Sequence, residues 1–237
     1  MRRSLLVAVV AGALAVAGIA YAAVTVSFNA TASPNRAGKP TGLFINIQSS
    51  DPAAPQPPIM TRILIKLQRG GKYNARRFNR CKLAVLQARG PKSCPKGSQI
   101  GTGTGVGRAL PVVEVQVNGR LTLFNGDRQG GRDTVLVYVF PDLGPTFVTV
   151  CKVSGGNTID CSIPPIKTLP SAPDASVVSV KTRTPVKRVR KGKRKHYLMV
   201  APRRCTRTWK GSGTFYFATG ETVKVPISQK CKRARRR

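Results

Sequence analysis

Hydrophobic and polar residues alternate with a period of two along much of this chain. The pattern is clear at residues 24–29 (VTVSFN), where two valines and a phenylalanine alternate with polar residues. Successive side chains of a strand point to opposite faces, so this alternation predicts a half-buried β-strand. Similar short segments predict further strands at 43–47, 63–67, 113–117, 120–124, 134–140, 175–180, 213–217 and 222–225.

Turn-forming residues separate several of these predicted strands. Asn118-Gly119 supplies the positive φ angles that a type I′ turn needs, which predicts a β-hairpin over 113–124. A second hairpin is predicted around 154–157 (SGGN), and a third turns at Thr219-Gly220. Residues 49–58 (SSDPAAPQPP) are predicted to form a loop, because proline cannot donate to a strand ladder.

Only one segment favours a helix, at residues 81–89 (CKLAVLQAR), where Gly90-Pro91 would end it. Strands and helices do not alternate along the chain, which argues against a parallel sheet. We therefore predict an all-β fold, an antiparallel β-sandwich that is immunoglobulin-like or related, with at most one short helix. This domain would occupy residues 23–229 as one compact unit or two subdomains.

The first 22 residues have the pattern of an export signal. A short cationic start, Met1-Arg2-Arg3, precedes an apolar run over 5–20 and a small-x-small site at 20–22. A retained membrane anchor is the alternative, since the run is long enough to span a bilayer. Two glycines in the run and the strand pattern that follows favour cleavage, so we predict a secreted protein that is extracellular or attached to the cell surface.

Six cysteines follow the predicted signal peptide. An even number of cysteines in an exported chain indicates disulfides, which would staple the fold. Zinc binding is disfavoured because the chain has no Cys-x-x-Cys, and we predict no metal or cofactor. Many connectivities are open, and nearest-neighbour pairing is the simplest of them: Cys81 with Cys94, Cys151 with Cys161, and Cys205 with Cys231.

Positive charge is the feature that most exceeds expectation. The formal net charge is +33, with 41 Lys and Arg against 8 Asp and Glu. Two segments concentrate it, a predicted basic loop at 181–195 and a basic C-terminal tail at 230–237. Such a surface attracts polyanions through counterion release. The predicted polyanion contacts are Lys187, Arg188, Arg190, Lys191, Lys193, Arg194, Lys195, Lys232, Arg233, Arg235, Arg236 and Arg237.

No arrangement of residues predicts catalysis. The glycines of residues 101–107 (GTGTGVG) fall at alternate positions and no helix follows, which differs from a dinucleotide-binding loop. They instead predict one bare face of a strand, against which another backbone or an aromatic ring packs closely. His196 is the only histidine, and the acidic residues are scattered singly. We predict no catalytic residue and no enzyme activity.

A Cys at position 81 is followed by a Cys-Pro-x-x-Ser and an Ile-Gly-x-Gly strand within residues 94–103. These motifs recur in an uncharacterised family of exported proteins from high-GC Gram-positive (actinobacterial) soil bacteria, which this chain resembles. The C-terminal part is similar in 197–205 (YLMVAPRRC), Trp209, 215–217, Gly220 and Cys231. The resemblance implies secretion, a β-rich fold and the Cys81–Cys94 and Cys205–Cys231 pairs. It carries over no activity, and Cys151–Cys161 is not part of the shared pattern.

These observations favour a non-enzymatic exported protein that associates electrostatically with the anionic cell envelope. Anionic wall polymers or lipid headgroups would be its partners. A binder of extracellular nucleic acid or another polyanion is the alternative, although neither basic segment is interleaved with aromatic rings for base stacking. A wall-acting hydrolase is a third alternative that requires two converging carboxylates. The alternative without a specific partner is that the positive charge only keeps the protein soluble.

Overall fold

A computed structural model describes residues 24–109, 115–168 and 173–233. The described chain is built mainly from strands, as the alternation of apolar and polar residues predicts. The predicted signal peptide at 1–22 lies outside these residues. The strands are β1 Thr25–Ser33, β2 Gly42–Ser50, β3 Met60–Lys66, β4 Lys72–Tyr73, β5 Gln99–Ala109, β6 Val115–Gln129, β7 Arg132–Pro141, β8 Phe147–Ser154, β9 Thr158–Ser162, β10 Ser176–Thr184, β11 Arg188–Lys191, β12 Arg194–Tyr197, β13 Met199–Val200, β14 Thr208–Phe217 and β15 Thr222–Lys230. Helix α1 spans Leu83–Arg89, and short 3-10 turns lie at Ala75–Arg77 and Pro91–Ser93.

Eleven strands form one sheet in the order β1-β2-β10-β5-β6-β7-β8-β9-β3-β14-β15. Every neighbouring pair is antiparallel, which confirms the predicted all-β antiparallel class. With an odd number of strands in such a sheet, the two edge strands run in the same direction. The sheet curls until these edges, β1 and β15, lie side by side, so its shape is nearly that of a barrel.

Side chains rather than a backbone ladder join the two edge strands. The Gln229 amide of β15 accepts from Ala32 N and donates to Ala32 O of β1, both at 2.7 Å. At the other end of the same strands, Val24 N donates to Glu221 Oε1 at 3.0 Å. Beyond the strands, Arg36 and Lys232 form a parallel bridge. These bonds satisfy edge groups that would otherwise be available for pairing with another chain.

Inward-facing side chains of the sheet are apolar. Phe28 of β1 and Phe215 of β14 are buried and meet edge to face, with ring centroids 5.5 Å apart. Trp209 and Phe217 are also buried, as expected for aromatic residues that alternate along a strand. A fully buried aromatic pair of this kind contributes about 0.5–1.5 kcal/mol beyond the area that it buries. The aromatic pair therefore anchors β1 to β14 across the interior.

Helix α1 packs on the outer face of the sheet, where it forms a second, smaller core. Leu86 of α1 and Leu136 of β7 are fully buried there, together with Phe124 of β6. The helix ends where predicted, because Gly90 adopts a φ of 71° and its N–H bonds to Leu86 O. The Cys81–Cys94 disulfide encloses the helix.

The three disulfides are the nearest-neighbour pairs, Cys81–Cys94, Cys151–Cys161 and Cys205–Cys231. Cys151 and Cys161 lie directly opposite each other on β8 and β9. The predicted hairpin between those strands is confirmed. The positive φ angles of Gly155 and Gly156 form its turn. The hairpin predicted at Thr219-Gly220 is confirmed as the connection from β14 to β15.

The hairpin predicted at Asn118-Gly119 is wrong. Both residues lie in the middle of β6, where Gly119 pairs with Gly105 of β5 and with Pro141 of β7. The turn preference of Asn-Gly is local, and ladder bonds to two neighbouring strands outweigh it. Two smaller boundaries also differ from expectation: β2 extends to Ser50, two residues into the predicted proline-rich loop, and α1 begins at Leu83.

The alternate glycines of β5 do form the bare strand face that the sequence predicts. A Cβ at Gly101 would lie 2.5 Å from Arg183 O of the neighbouring strand β10. A Cβ at Gly103 would clash with Lys181 O and would lie 3.0 Å from Thr182 Cα. Only residues without a side chain allow the β10 backbone to come this close.

One end of the curled sheet is covered by segments outside the eleven strands. We call it the hairpin end: it is where β1 ends at Ser33, β10 ends at Thr184 and β15 ends at Lys230. The short β4–β13 pair crosses it, and fully buried Leu198 packs against Ile100 there. Asn125, also fully buried, ties this cover to β6.

The Asn125 amide makes that connection through several hydrogen bonds. Its Nδ2 donates to Ala75 O at 3.1 Å and to Asn79 O at 3.0 Å. Its Oδ1 accepts from the Tyr73 hydroxyl at 3.1 Å. Burial raises the pKa of the Tyr73 phenol well above its ordinary value, with a smaller contribution from Asp133, so this hydroxyl stays protonated and donates.

Candidate functional site

Strands β11 and β12 form a separate two-stranded ribbon at the hairpin end, which we call the basic hairpin (residues 188–197). The predicted basic loop at 181–195 therefore contains the C-terminal residues of β10 and most of the basic hairpin. The ribbon's predicted contact residues are all exposed: Arg188, Arg190, Lys191, Lys193, Arg194 and Lys195. Lys187, just before the ribbon, is half-buried, and its carbonyl accepts from Leu198 N at 3.0 Å.

Like charges face each other across the basic hairpin. Arg190 lies directly opposite Lys195, and Lys191 lies directly opposite Arg194. Because adjacent positions point to opposite faces, the first pair lies on one face of the ribbon and the second on the other. Like charges directly opposite in an antiparallel pair destabilise it by roughly 0.2–1 kcal/mol each. Both faces of the ribbon are therefore cationic, and a bound polyanion would relieve the repulsion.

The C-terminal basic segment emerges at the same end. Lys232 N donates to Asn35 O and Ala37 N donates to Lys232 O, both at 2.9 Å. Thr184, Leu43, Ala32 and Gln229 lie at one level on consecutive strands. Ladder pairing joins β10, β2 and β1, and the Gln229 side chain joins β1 to β15, so β10 and β15 end close together. Lys232 and Arg233 are exposed, and Arg235, Arg236 and Arg237 lie outside the described residues.

Acidic side chains neutralise little of the hairpin end. Ion pairs join Asp160 to Arg62, Asp133 to Arg80 and Arg128, and Asp174 to Lys167. In the part of the chain that the structure describes, no ion pair or side-chain hydrogen bond involves the basic side chains of the basic hairpin. The hydrogen bond from Arg62 holds the pKa of the Asp160 carboxyl below its usual value, which makes that pair a local stabilising contact on β3 and β9.

An apolar cavity of about 280 Å³ lies inside the curled sheet. Each of the eleven strands contributes to its lining, and no Asp or Glu of the described residues does. Small residues leave the space: Gly105 and Gly119 are directly opposite on β5 and β6, and Ala30 and Ala32 of β1 also line it. Sheets of about eight strands are just filled by side chains when closed, so eleven strands leave unfilled room.

The side chains on the two faces of β7 differ in how deeply they are buried, and this difference reflects the cavity. On the outer face, Leu136 is 0% exposed beneath α1. On the inner face, Val135, Val137 and Val139 line the cavity and are only half-buried. In a packed interior the inner face would be the better buried one. These valines therefore present apolar surface to a space large enough for a ligand.

Two exposed lysines are among the residues that line the cavity. Of all the residues that line it, only Lys72 and Lys210 are exposed. Lys72 lies on β4, opposite Val200 of β13, and Lys210 lies near the start of β14. Gln68 lines the cavity beside them, and its Oε1 accepts from Lys210 N at 3.1 Å. All three lie at the hairpin end, so the apolar cavity and the cationic surface meet there.

Sequence reasoning found the basic segments and missed the cavity. The parity of the strands shows which residues face inward, but the width of the interior depends on how many strands the sheet contains. Small residues at inward positions, such as Ala30, Ala32 and Gly105, are the signal that was available. His196 is half-buried on β12 opposite Val189. No group of His, Cys, Asp or Glu suited to a metal ion occurs within residues 24–109, 115–168 and 173–233.

Comparison with known proteins does not assign this chain to a family. No protein-family model, curated protein or solved structure matches the chain. Among the helices of the described residues, none is long and apolar enough to cross a membrane. Functional inference therefore rests on the basic hairpin, the C-terminal basic segment and the cavity.

Proposed function

We propose that this chain is an exported, non-enzymatic protein that associates electrostatically with the anionic cell envelope. Its partners would be anionic wall polymers or lipid headgroups. The observation that carries the proposal is the convergence of both basic segments at the hairpin end, where β10 and β15 end on nearby strands. A polyanion that reaches across this end contacts both segments at once, which a protein with scattered charge would not allow.

The charge arrangement supports binding beyond general solubility. Surface charge that only keeps a protein soluble does not need like charges placed directly opposite each other, as Arg190 and Lys195 are. An extended anionic chain lying along the ribbon neutralises both strands and releases the counterions that they hold. Binding then stabilises the ribbon as well as attaching the protein.

Export is supported by the N-terminal pattern and by the cysteines. All six cysteines are paired, and disulfides persist in oxidising compartments outside the cytosol. The cationic start and apolar run at 1–20 fit a secretory signal. A protein placed outside the membrane meets anionic wall polymers and lipid headgroups before other polyanions.

The closure of the sheet belongs to the same proposal. We favour an incompletely closed barrel over the predicted two-layer sandwich, since Gln229 joins the two edge strands and residues from all eleven strands line one cavity. Because no Asp or Glu of the described residues lines that cavity, its chemistry favours binding over glycoside hydrolysis.

Extracellular nucleic acid is the second candidate partner. A two-stranded ribbon with exposed Arg and Lys on both faces also suits contact with backbone phosphates. Tyr197 is the only aromatic residue of the ribbon, so it offers little for base stacking. Binding to nucleic acid should therefore be independent of its sequence.

The test compares two variants that lose the same number of charges. The first replaces the six exposed cations of the basic hairpin by glutamine: Arg188, Arg190, Lys191, Lys193, Arg194 and Lys195. The control replaces six exposed cations elsewhere: Lys82, Arg89, Lys92, Lys96, Lys152 and Lys224. At 0.15 M salt the hairpin variant should be released from isolated envelopes while the control variant stays bound. Equal release of both variants would show that only net charge matters and would overturn the proposal.

A further inference from the structure

We infer that the interior cavity is a binding site for a single-chain amphiphile with a carboxylate head, of about ten carbons. The inference does not rest on envelope binding, since it uses the inner face of the sheet rather than the basic hairpin. Three features of the cavity carry it: its apolar lining, its size, and the two exposed lysines among its lining residues.

The lining defines the part of the ligand that enters. Half-buried valines of β7 and the bare backbone at Gly105 and Gly119 offer apolar contact without clashing side chains. An apolar cavity of about 150 Å³ binds benzene, which has six carbons, so about 280 Å³ has room for about ten carbons. One saturated chain of that length therefore suits this volume.

The two lysines define the head. Lys72 and Lys210 are the exposed members of the lining, and no carboxylate of the described residues lines the cavity to neutralise them. An ammonium group at the mouth of an apolar site pairs with an anion whose tail lies inside, because the tail is desolvated while the charge stays at the surface. A carboxylate head therefore suits this mouth better than a neutral or cationic one.

Titration with straight-chain carboxylates tests the site. Calorimetry of the disulfide-intact protein should detect saturable binding of decanoate, with affinity rising roughly fourfold per methylene from hexanoate to decanoate. Affinity should stop rising beyond about ten carbons, when the chain exceeds the cavity. No saturable binding, or the same affinity for hexanoate and decanoate, would overturn the inference.

Matched variants test whether the ligand lies inside the cavity. A Cβ at Gly105 would lie 3.6 Å from Leu121 Cδ1, so Gly105→Leu fills the cavity without forcing the backbone apart, while Thr104→Leu adds the same side chain to the outer face. Decanoate binding should be lost in the first and kept in the second. If Gly105→Leu does not fold, as judged by circular dichroism, Val137→Phe fills another part of the cavity from β7. Decanoate binding that survives cavity filling in a folded variant would overturn the inference.

Charge removal tests the head separately. Lys72→Gln with Lys210→Gln should weaken decanoate binding by about tenfold or more and leave the neutral analogue decanol unchanged. Lys66→Gln with Lys152→Gln, which removes two exposed lysines outside the lining, is the control. Equal loss of decanoate binding in the two double variants, or equal loss of decanol binding in the first, would contradict a carboxylate at the mouth. Envelope retention should be unchanged by the Gly105 variant, so the two proposals can fail independently.

Discussion

Gly103 and Gly105 provide a direct comparison of close packing within one strand. They are two residues apart on β5 and lie on the same face. A Cβ at Gly103 would collide with Lys181 O and approach Thr182 Cα at 3.0 Å, whereas the nearest atoms at Gly105 are both 3.6 Å away. The pairing of β10 with β5 shifts register between Val177 and Ser179, close to the partner of Gly105. The β10 backbone therefore presses on one glycine and not on the other.

Replacing each glycine by alanine should affect stability differently at the two positions. Overpacking against backbone costs about 1–3 kcal/mol, so Gly103→Ala should lower the free energy of unfolding by that amount. In a domain of this size each kcal/mol corresponds to about 2–4 °C in Tm, which gives a fall of about 2–12 °C. Gly105→Ala should be neutral or raise stability by up to about 1 kcal/mol, since alanine restricts the unfolded chain.

The assay is thermal unfolding followed by far-ultraviolet circular dichroism, with the disulfides intact. Urea titration at 25 °C gives the same comparison as free energies and tests whether the slope with denaturant is unchanged. A Tm for Gly103→Ala that equals or exceeds that of Gly105→Ala would refute the close approach of β10 to β5, and with it the explanation of the alternating glycines.

Two further predictions concern contacts at single residues. Asn125→Ala should lower the free energy of unfolding by about 2–4 kcal/mol, because the Ala75 and Asn79 carbonyls lose a buried donor; an effect below 1 kcal/mol in urea unfolding would contradict that network. Arg62 lowers the pKa of Asp160, so the stability that this pair contributes is present above the unfolded-state pKa of about 3.9 and is lost as the pH falls further. The stability difference between the wild type and Asp160→Asn should therefore be at most about 1 kcal/mol at pH 7, since Arg62 is 45% exposed, and should vanish near pH 2; a difference that grows on acidification would contradict the assignment.

Local patterns in the sequence predict most of the strands but not every connection. Alternation and turn glycines predict β1, the β8–β9 and β14–β15 hairpins and the end of α1 at Gly90, because these features depend on neighbours in the chain. Asn118-Gly119 misleads for the same reason. Val117, Gly119 and Leu121 keep one parity across the predicted turn, which is the pattern of a continuous strand. That parity outweighs a two-residue turn preference.

The candidate site could be predicted only in part. Clusters of Lys and Arg are visible in the sequence, but their meeting at one end depends on β10, β2, β1 and β15 being neighbours in the sheet. The cavity depends on the number of strands that share one sheet and on how far it curls. Neither property is encoded in any single segment, so a reading of segments one at a time cannot find it.

Salt dependence of binding to isolated envelopes and to duplex DNA, measured side by side, tests the role of the hairpin end most directly. Wild-type binding to envelopes should persist above about 0.15 M salt while DNA binding collapses. The six substitutions in the basic hairpin should lower the slope of log affinity against log salt on DNA by up to about 5, and the six control substitutions by much less. If envelope and DNA binding fall together, and both variants lower the slope equally, the positive charge is generic and the hairpin end is not a binding site.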